Sequence, residues 1–242
     1  MTHRLNLDMV DRDGALRETA AQAQDALRGE TRASFLRKAG LAGGAVIGGG
    51  ALLGALVPSG ALAAGAHTAM SNGRPPASFG PGDIGILNYA LTLEYLEAQF
   101  YNEAAAHGAV TDPQTKVFLA ATVRDEDAHV AFLQQALGSK AVAKPRFDFQ
   151  GIVADQTKFQ QTAYVLENTG VHAYLGQAGN IENPAYLAAA ASILTIEARH
   201  ASVIGLIIDE SVTGIAPNGS FDTPLTAEQV LAAVAATGFI VA

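Results

Sequence analysis

The sequence predicts an all-α protein: a four-helix bundle of two antiparallel helix pairs joined by a long crossover, followed by a short fifth helix. Three observations carry this. Aromatic residues make up 7% of the 242 residues and Trp is absent, while Ala and Leu are abundant, a composition that favours helices. Cap-and-proline punctuation divides the chain beyond residue 82 into four long segments. The chain also repeats itself. Leu93-Glu94 with Tyr101 returns as Leu166-Glu167 with Tyr174 at an offset of 73, and Glu126-x-x-His129 returns as Glu197-x-x-His200 at an offset of 71.

The first helix is expected from Asp83, after Pro81-Gly82, with Ile84, Leu87, Ala90, Leu91, Ala98 and Phe100 as apolar positions and Gly108 as its stop. The second opens at Asp112-Pro113, cap then first-turn proline, and runs through Phe118, Val123 and Phe132 to Gly138. Residues 139–154 hold Pro145 and Gly151 and form the long connection. The third helix runs from near Asp155 to about Ala178, and the fourth from Asn183-Pro184 to near Asp209. After a loop rich in Gly, Pro and Asn, Thr226-Ala-Glu-Gln229 has the spacing of a capping box and opens a short helix over Val230–Ala236. Short joints make each pair antiparallel, and the longer one can run the length of the bundle. The bundle with its C-terminal extension is expected over residues 83–242.

Residues 1–38 carry seven basic and six acidic side chains, and Ala39 to Ala63 carries no charge. The uncharged block is long enough to span a bilayer, but its many glycines make it a poor anchor. It ends Ala61-Leu62-Ala63, a small-x-small cleavage pattern. Residues 1–63 therefore read as an export signal with a long charged leader, with an uncleaved anchor as the lesser alternative, and the protein as periplasmic or extracellular, meeting membrane only through that segment. Thr31-Arg-Ala-Ser-Phe-Leu-Arg-Lys38 resembles a twin-arginine signal and departs from it at Ala33, where the second arginine is expected. Residues 64–82 read as a flexible linker. The net charge is -8, and beyond residue 63 there are 8 basic and 17 acidic residues, which excludes the basic patch that nucleic-acid binding needs. The absence of cysteine excludes disulfides, thiolate metal sites and cysteine nucleophiles. Gly43–Gly50 lacks the Lys-Ser/Thr of a phosphate loop.

The chemistry lies in the repeat. Residues three apart share one helix face, so each Glu-x-x-His can hold one metal through a carboxylate and an imidazole. The two halves offer Glu94, Glu126 and His129, and Glu167, Glu197 and His200. Four inward carboxylates in an apolar bundle are costly when unpaired, and two divalent cations would balance their charge. Di-iron and di-manganese bundles use this constellation of one Glu from each of two helices and Glu-x-x-His from the other two, and both metals accept carboxylate and imidazole. Glu97 lies one turn on from Glu94 but aligns with Gly170 in the repeat, which makes it a neighbour of the site or an extra, mobile ligand. Tyr101 and Tyr174 fall on the Glu94 and Glu167 faces, either as core aromatics with satisfied hydroxyls or as hydrogen-bond or electron donors beside the metals. His172 is turned well around the helix from Glu167 and is not expected to ligate, and His3, His67 and His107 lie in tails or at a helix end.

On these six positions the chain resembles the ferritin-like superfamily over about residues 83–240, and Leu91-Thr-Leu-Glu-Tyr-Leu-Glu-Ala-Gln-Phe-Tyr101 resembles its desiccation-related branch. The resemblance implies two iron or manganese ions. Glu94 and His129 would hold one, Glu167 and His200 the other, with Glu126 and Glu197 bridging. It also implies that Asp125, whose counterpart is Ile196, accepts a hydrogen bond from His200 and pairs with Arg199. The partners implied are metal ions and small oxidants, and the reaction is redox chemistry on ferrous iron, dioxygen or peroxide. The rival expectation is a stress-protective structural protein that keeps the bundle and uses metal for stability alone. Nothing in the sequence specifies an oligomeric state.

Overall fold

The computed structural model describes residues 73–209 and 211–241. The expected export signal and residues 64–72 of the expected linker lie outside them. Four long helices dominate: α1 (Gly82–His107), α2 (Pro113–Leu137), α3 (Gln156–Ala178) and α4 (Pro184–Ile208). A single turn, α5 (Val212–Ile215), and a short helix, α6 (Ala227–Thr237), follow.

Local chemistry sets the helix ends. The Asp112 carboxylate accepts the Thr115 N–H at 2.7 Å and the Asn183 amide oxygen accepts the Ala185 N–H at 2.9 Å, each just ahead of a first-turn proline. Asp155 caps α3 through the Lys158 N–H. Gly108 adopts the left-handed conformation, φ 73, that ends α1. At α6 the capping box closes in both directions: Gln229 N–H donates to Thr226 Oγ1 and Thr226 N–H to Gln229 Oε1.

Helix α1 is the central element and is buried on every side from Gly85 to Ala98, as a helix covered all round must be. Its outer side is covered by the segments before and after the first pair. The Asn88 amide donates to the Phe79 and Lys140 carbonyls and accepts the Val142 N–H, so a buried polar side chain ties three segments together. Residues 73–81 of the expected linker are held to the bundle, and Gly82, its last residue, opens α1. The Gly73 carbonyl accepts from the Ala227 N–H and the Gln177 amide, and Arg74 reaches the Asn180 carbonyl and Glu182.

The crossover between α2 and α3 contains β1 (Arg146–Phe147), which pairs antiparallel with β2 (Ile240–Val241), in the register Arg146 with Val241 and Phe147 with Ile240. This pairing was absent from the sequence expectation, because two-residue strands have no periodicity to read. It fastens the C-terminal end across the crossover. Two apolar clusters form the core. One gathers Phe100, Phe118, Phe149, Phe159 and Phe239 with Tyr101; the other gathers Leu87, Leu91, Leu133 and Ile193 with Tyr174. Phe132, one of the apolar positions along the expected second helix, is 41% exposed on α2; the inward turns there belong to His129 and Leu133. Helix α4 has the length and apolarity to cross a membrane, but a core helix has the same composition, and its buried face carries Glu197 and His200.

Candidate metal centre

Each long helix delivers one turn of polar side chains to the middle of the bundle. Glu94 comes from α1, Glu126 and His129 from α2, Glu167 from α3, and Glu197 and His200 from α4. The four carboxylates are 0% exposed. They fall into two groups, Glu94, Glu126, His129 and Glu197, and Glu126, Glu167, Glu197 and His200. Within each group, one ligand atom per residue lies within 4.8 Å of all the others. Glu126 and Glu197 belong to both.

The contacts suit a cation better than a hydrogen-bond network. His129 Nδ1 lies 3.1 Å from Glu94 Oε2, 3.1 Å from Glu126 Oε2 and 3.3 Å from Glu197 Oε1. One ring nitrogen carries at most one proton and cannot serve three carboxylates. His200 Nδ1 lies 3.2 Å from Glu126 Oε1 and 3.3 Å from Glu167 Oε2, yet none of these three atoms has a hydrogen-bond partner among the described residues. Both Glu197 oxygens are likewise unpartnered, and among the described residues the one other buried side-chain atom of this kind is the Tyr89 hydroxyl. Buried polar atoms are normally paired. Unpaired lone pairs converging in two adjoining groups have the donor set and charge that could hold metal ions.

The protonation pattern of the metal-free cluster follows from the same crowding. Burial, then the charges of Glu126 and Glu94, push Glu197 well above the usual carboxylate range. Burial lifts Glu126 to about 7 against the pull of its histidine neighbours. Burial would also raise Glu94, but the bond to His129 and its charge outweigh it and hold this carboxyl low. Burial alone would lower His200, yet Glu126 and Glu167 raise it to about 11; burial works against His129 in the same way, and the surrounding carboxylates of Glu126, Glu197 and Glu94 raise it.

The surroundings cross between the repeats. The Tyr101 phenol of α1 donates to Glu167 of α3, and the Tyr174 phenol of α3 donates to Glu94 of α1. Both tyrosines are buried in the core, and both hydroxyls bond to carboxylates of the cluster itself. Asp125 Oδ2 lies 3.2 Å from His200 Nε2, leaving His200 Nδ1 facing the carboxylates. The arginine at Asp125 is Arg124, whose Nε and Nη2 donate to the two carboxylate oxygens at 2.7 and 2.8 Å, and its bond is the main reason that Asp125 titrates low. The expected Arg199 instead follows the exposed face of α4; the long stem of Arg124 folds back on its own neighbour. Ile196, in the place matching Asp125, has no acceptor to offer His129.

Glu97 is 3% exposed and stands outside both ligand groups. Burial and then the charges of Glu197, Glu126, Glu167 and Glu94 raise it well above the usual carboxylate range. His172 is buried away from the cluster, its Nε2 accepting from the Asn218 amide at 3.0 Å. Gly170, used in the sequence only as the counterpart of Glu97, abuts the site directly. Its signal was the missing side chain in an otherwise matched repeat.

A bundle with Glu from two helices and Glu-x-x-His from the other two defines the class of carboxylate–histidine four-helix proteins. The family described as the ferritin-like domain matches residues 82–210, more than half of the 242-residue chain, and the chain belongs to that family. No curated protein matches it.

Proposed function

We propose that the protein is exported and holds two iron or manganese ions between its four helices, with redox chemistry on ferrous iron, dioxygen or peroxide as its function. The observation that carries the metal reading is the sharing of Glu126 and Glu197 by two adjoining groups of buried ligand atoms. The charge-free block Ala39–Ala63, with its small-x-small end, supports export.

When bound, a pair of such ions exchanges electrons with a small oxidant. The chain's own residues fix the conditions. Glu94 with His129, and Glu167 with His200, would each hold one ion, while Glu126 and Glu197 would span both. Tyr101 and Tyr174 hold one oxygen each of Glu167 and Glu94, which restrains these two carboxylates. Glu197 has no such restraint: both its oxygens lack a hydrogen-bond partner among the described residues, so this carboxylate would be the one to change its mode of binding as the charge of the site changes. The two apolar clusters keep bulk water from the cluster.

A second reading draws on the closure of the site, whose four carboxylates are fully buried. In it the metal ties the helices together in a stress-protective protein without turnover. Oxygen consumption on adding Fe2+ to the metal-free protein, run beside peroxide decomposition by the iron- and manganese-loaded forms, separates the two. Turnover in either assay supports the redox reading, and two bound ions with no turnover in both supports the structural one.

A further inference from the structure

The repeat is matched at Leu93 and Leu166, Glu94 and Glu167, and Tyr101 and Tyr174, and it breaks at Glu97 and Gly170. The backbone does not require glycine there. Gly170 lies in the middle of α3 and is not among the glycines with positive φ, and glycine weakens a helix interior relative to alanine. Space explains it. A Cβ on Gly170 would lie 2.6 Å from Glu197 Oε2, 3.4 Å from Glu197 Cδ and 3.5 Å from Glu97 Oε1. The Glu197 carboxylate thus sits against the α3 backbone, in the volume a side chain would take. In the other half, the corresponding position on α1 bears the Glu97 side chain.

We propose that Gly170 is the positioning residue for Glu197: its missing side chain admits the carboxylate that both ligand groups share. The proposal rests on the dinuclear reading and deepens it. Any side chain at this position would push Glu197 out of the place from which it reaches His129 at 3.3 Å and joins the second group. The asymmetry of the repeat follows, since one half supplies an additional carboxylate at this level and the other supplies the room for a bridge.

The test is Co2+ titration of the metal-free full chain, followed by the visible absorption of the bound ion, for wild type, Gly170→Ala, Glu197→Asp and the double variant. We expect two Co2+ per wild-type chain and roughly tenfold or greater weakening in Gly170→Ala, with an altered Co2+ spectrum. Shortening residue 197 withdraws the carboxylate from the new methyl group. The loss in the double variant should therefore be smaller than the product of the two single losses. A role confined to helix stability would raise the melting temperature in Gly170→Ala and leave Co2+ affinity alone. If Gly170→Ala fails to fold, Gly170→Ala with Glu197→Ala should recover the fold; failure to recover would place the collision elsewhere and overturn the proposal. Wild-type affinity and spectrum in Gly170→Ala, or single losses that simply multiply, would overturn it while leaving the dinuclear reading intact. A wild-type chain that binds no Co2+ would overturn both.

Discussion

Asp125 on α2 and His200 on α4 are joined across the bundle, Oδ2 to Nε2, at 3.2 Å. Arg124 holds the Asp125 carboxyl below its usual range, so the aspartate is an ionised acceptor and Nε2 carries the proton. That ties Nε2–H to Asp125 and leaves Nδ1 as the atom facing Glu126 and Glu167, where a metal would take the place of its proton. Asp125→Asn keeps the shape and weakens the acceptor. It should lower affinity for the metal held by His200 by about 10–100-fold and leave the His129 metal nearly unchanged, read from stepwise metal titration. Equal weakening at both would mean that Asp125 acts through general charge.

The crossed tyrosines predict crossed effects. Tyr174→Phe removes the donor to Glu94 and should weaken the metal shared with His129. Tyr101→Phe removes the donor to Glu167 and should weaken the one shared with His200. The shape of each ring is retained, and the metal-free protein should lose about 1–3 kcal/mol for each orphaned buried acceptor, measured by denaturant unfolding. Each tyrosine acting on the metal of its own helix would contradict the crossing.

The bridges should matter more than the neighbour. Glu126→Ala or Glu197→Ala should reduce metal content from two ions to one or none, because each carboxylate belongs to both ligand groups. Glu97→Ala should retain two ions, since Glu97 stands outside both. Metal analysis after equilibrium dialysis reads the difference directly. Loss of an ion with Glu97→Ala equal to that with Glu94→Ala would move Glu97 into the ligand set.

Protons and metal compete for the same atoms. Glu126 is raised from 4.5 to about 7 and His200 from 6.5 to about 11 in the metal-free fold. The metal-free fold therefore binds more of these protons than the unfolded chain does. Their contribution to stability is full below the ordinary values and is lost as pH rises through the raised ones. Glu94, held low, runs the other way and loses its contribution as pH falls. Bound metal displaces the protons on Glu126 and His200, so the rise in melting temperature on adding Mn2+ should be larger at about pH 8 than at about pH 5.5. A pH-independent rise would mean that Mn2+ binds away from these groups.

The helix bounds were legible because their causes are local. Asp112-Pro113, Asn183-Pro184 and Thr226–Gln229 specify caps within a few residues of chain, and the six inward side chains could be selected because the repeat states them twice. What the sequence did not reveal depends on distance in space. The Asn88 amide joins segments 9, 52 and 54 residues away. The choice of Arg124 over Arg199 depends on which face of α4 turns outward. The crossed tyrosine bonds require knowing which helices face each other, and spacing along one helix is silent on that. Gly170 was visible as a gap in the pattern, but its meaning needed the 2.6 Å approach of Glu197.

Metal analysis of the protein recovered from its own cells reads whether the buried cluster holds two transition-metal ions. Two iron or manganese ions per chain are expected, with loss of at least one in Glu126→Ala. A folded protein containing neither metal, and taking up neither after anaerobic reconstitution with Fe2+ or Mn2+, would contradict it.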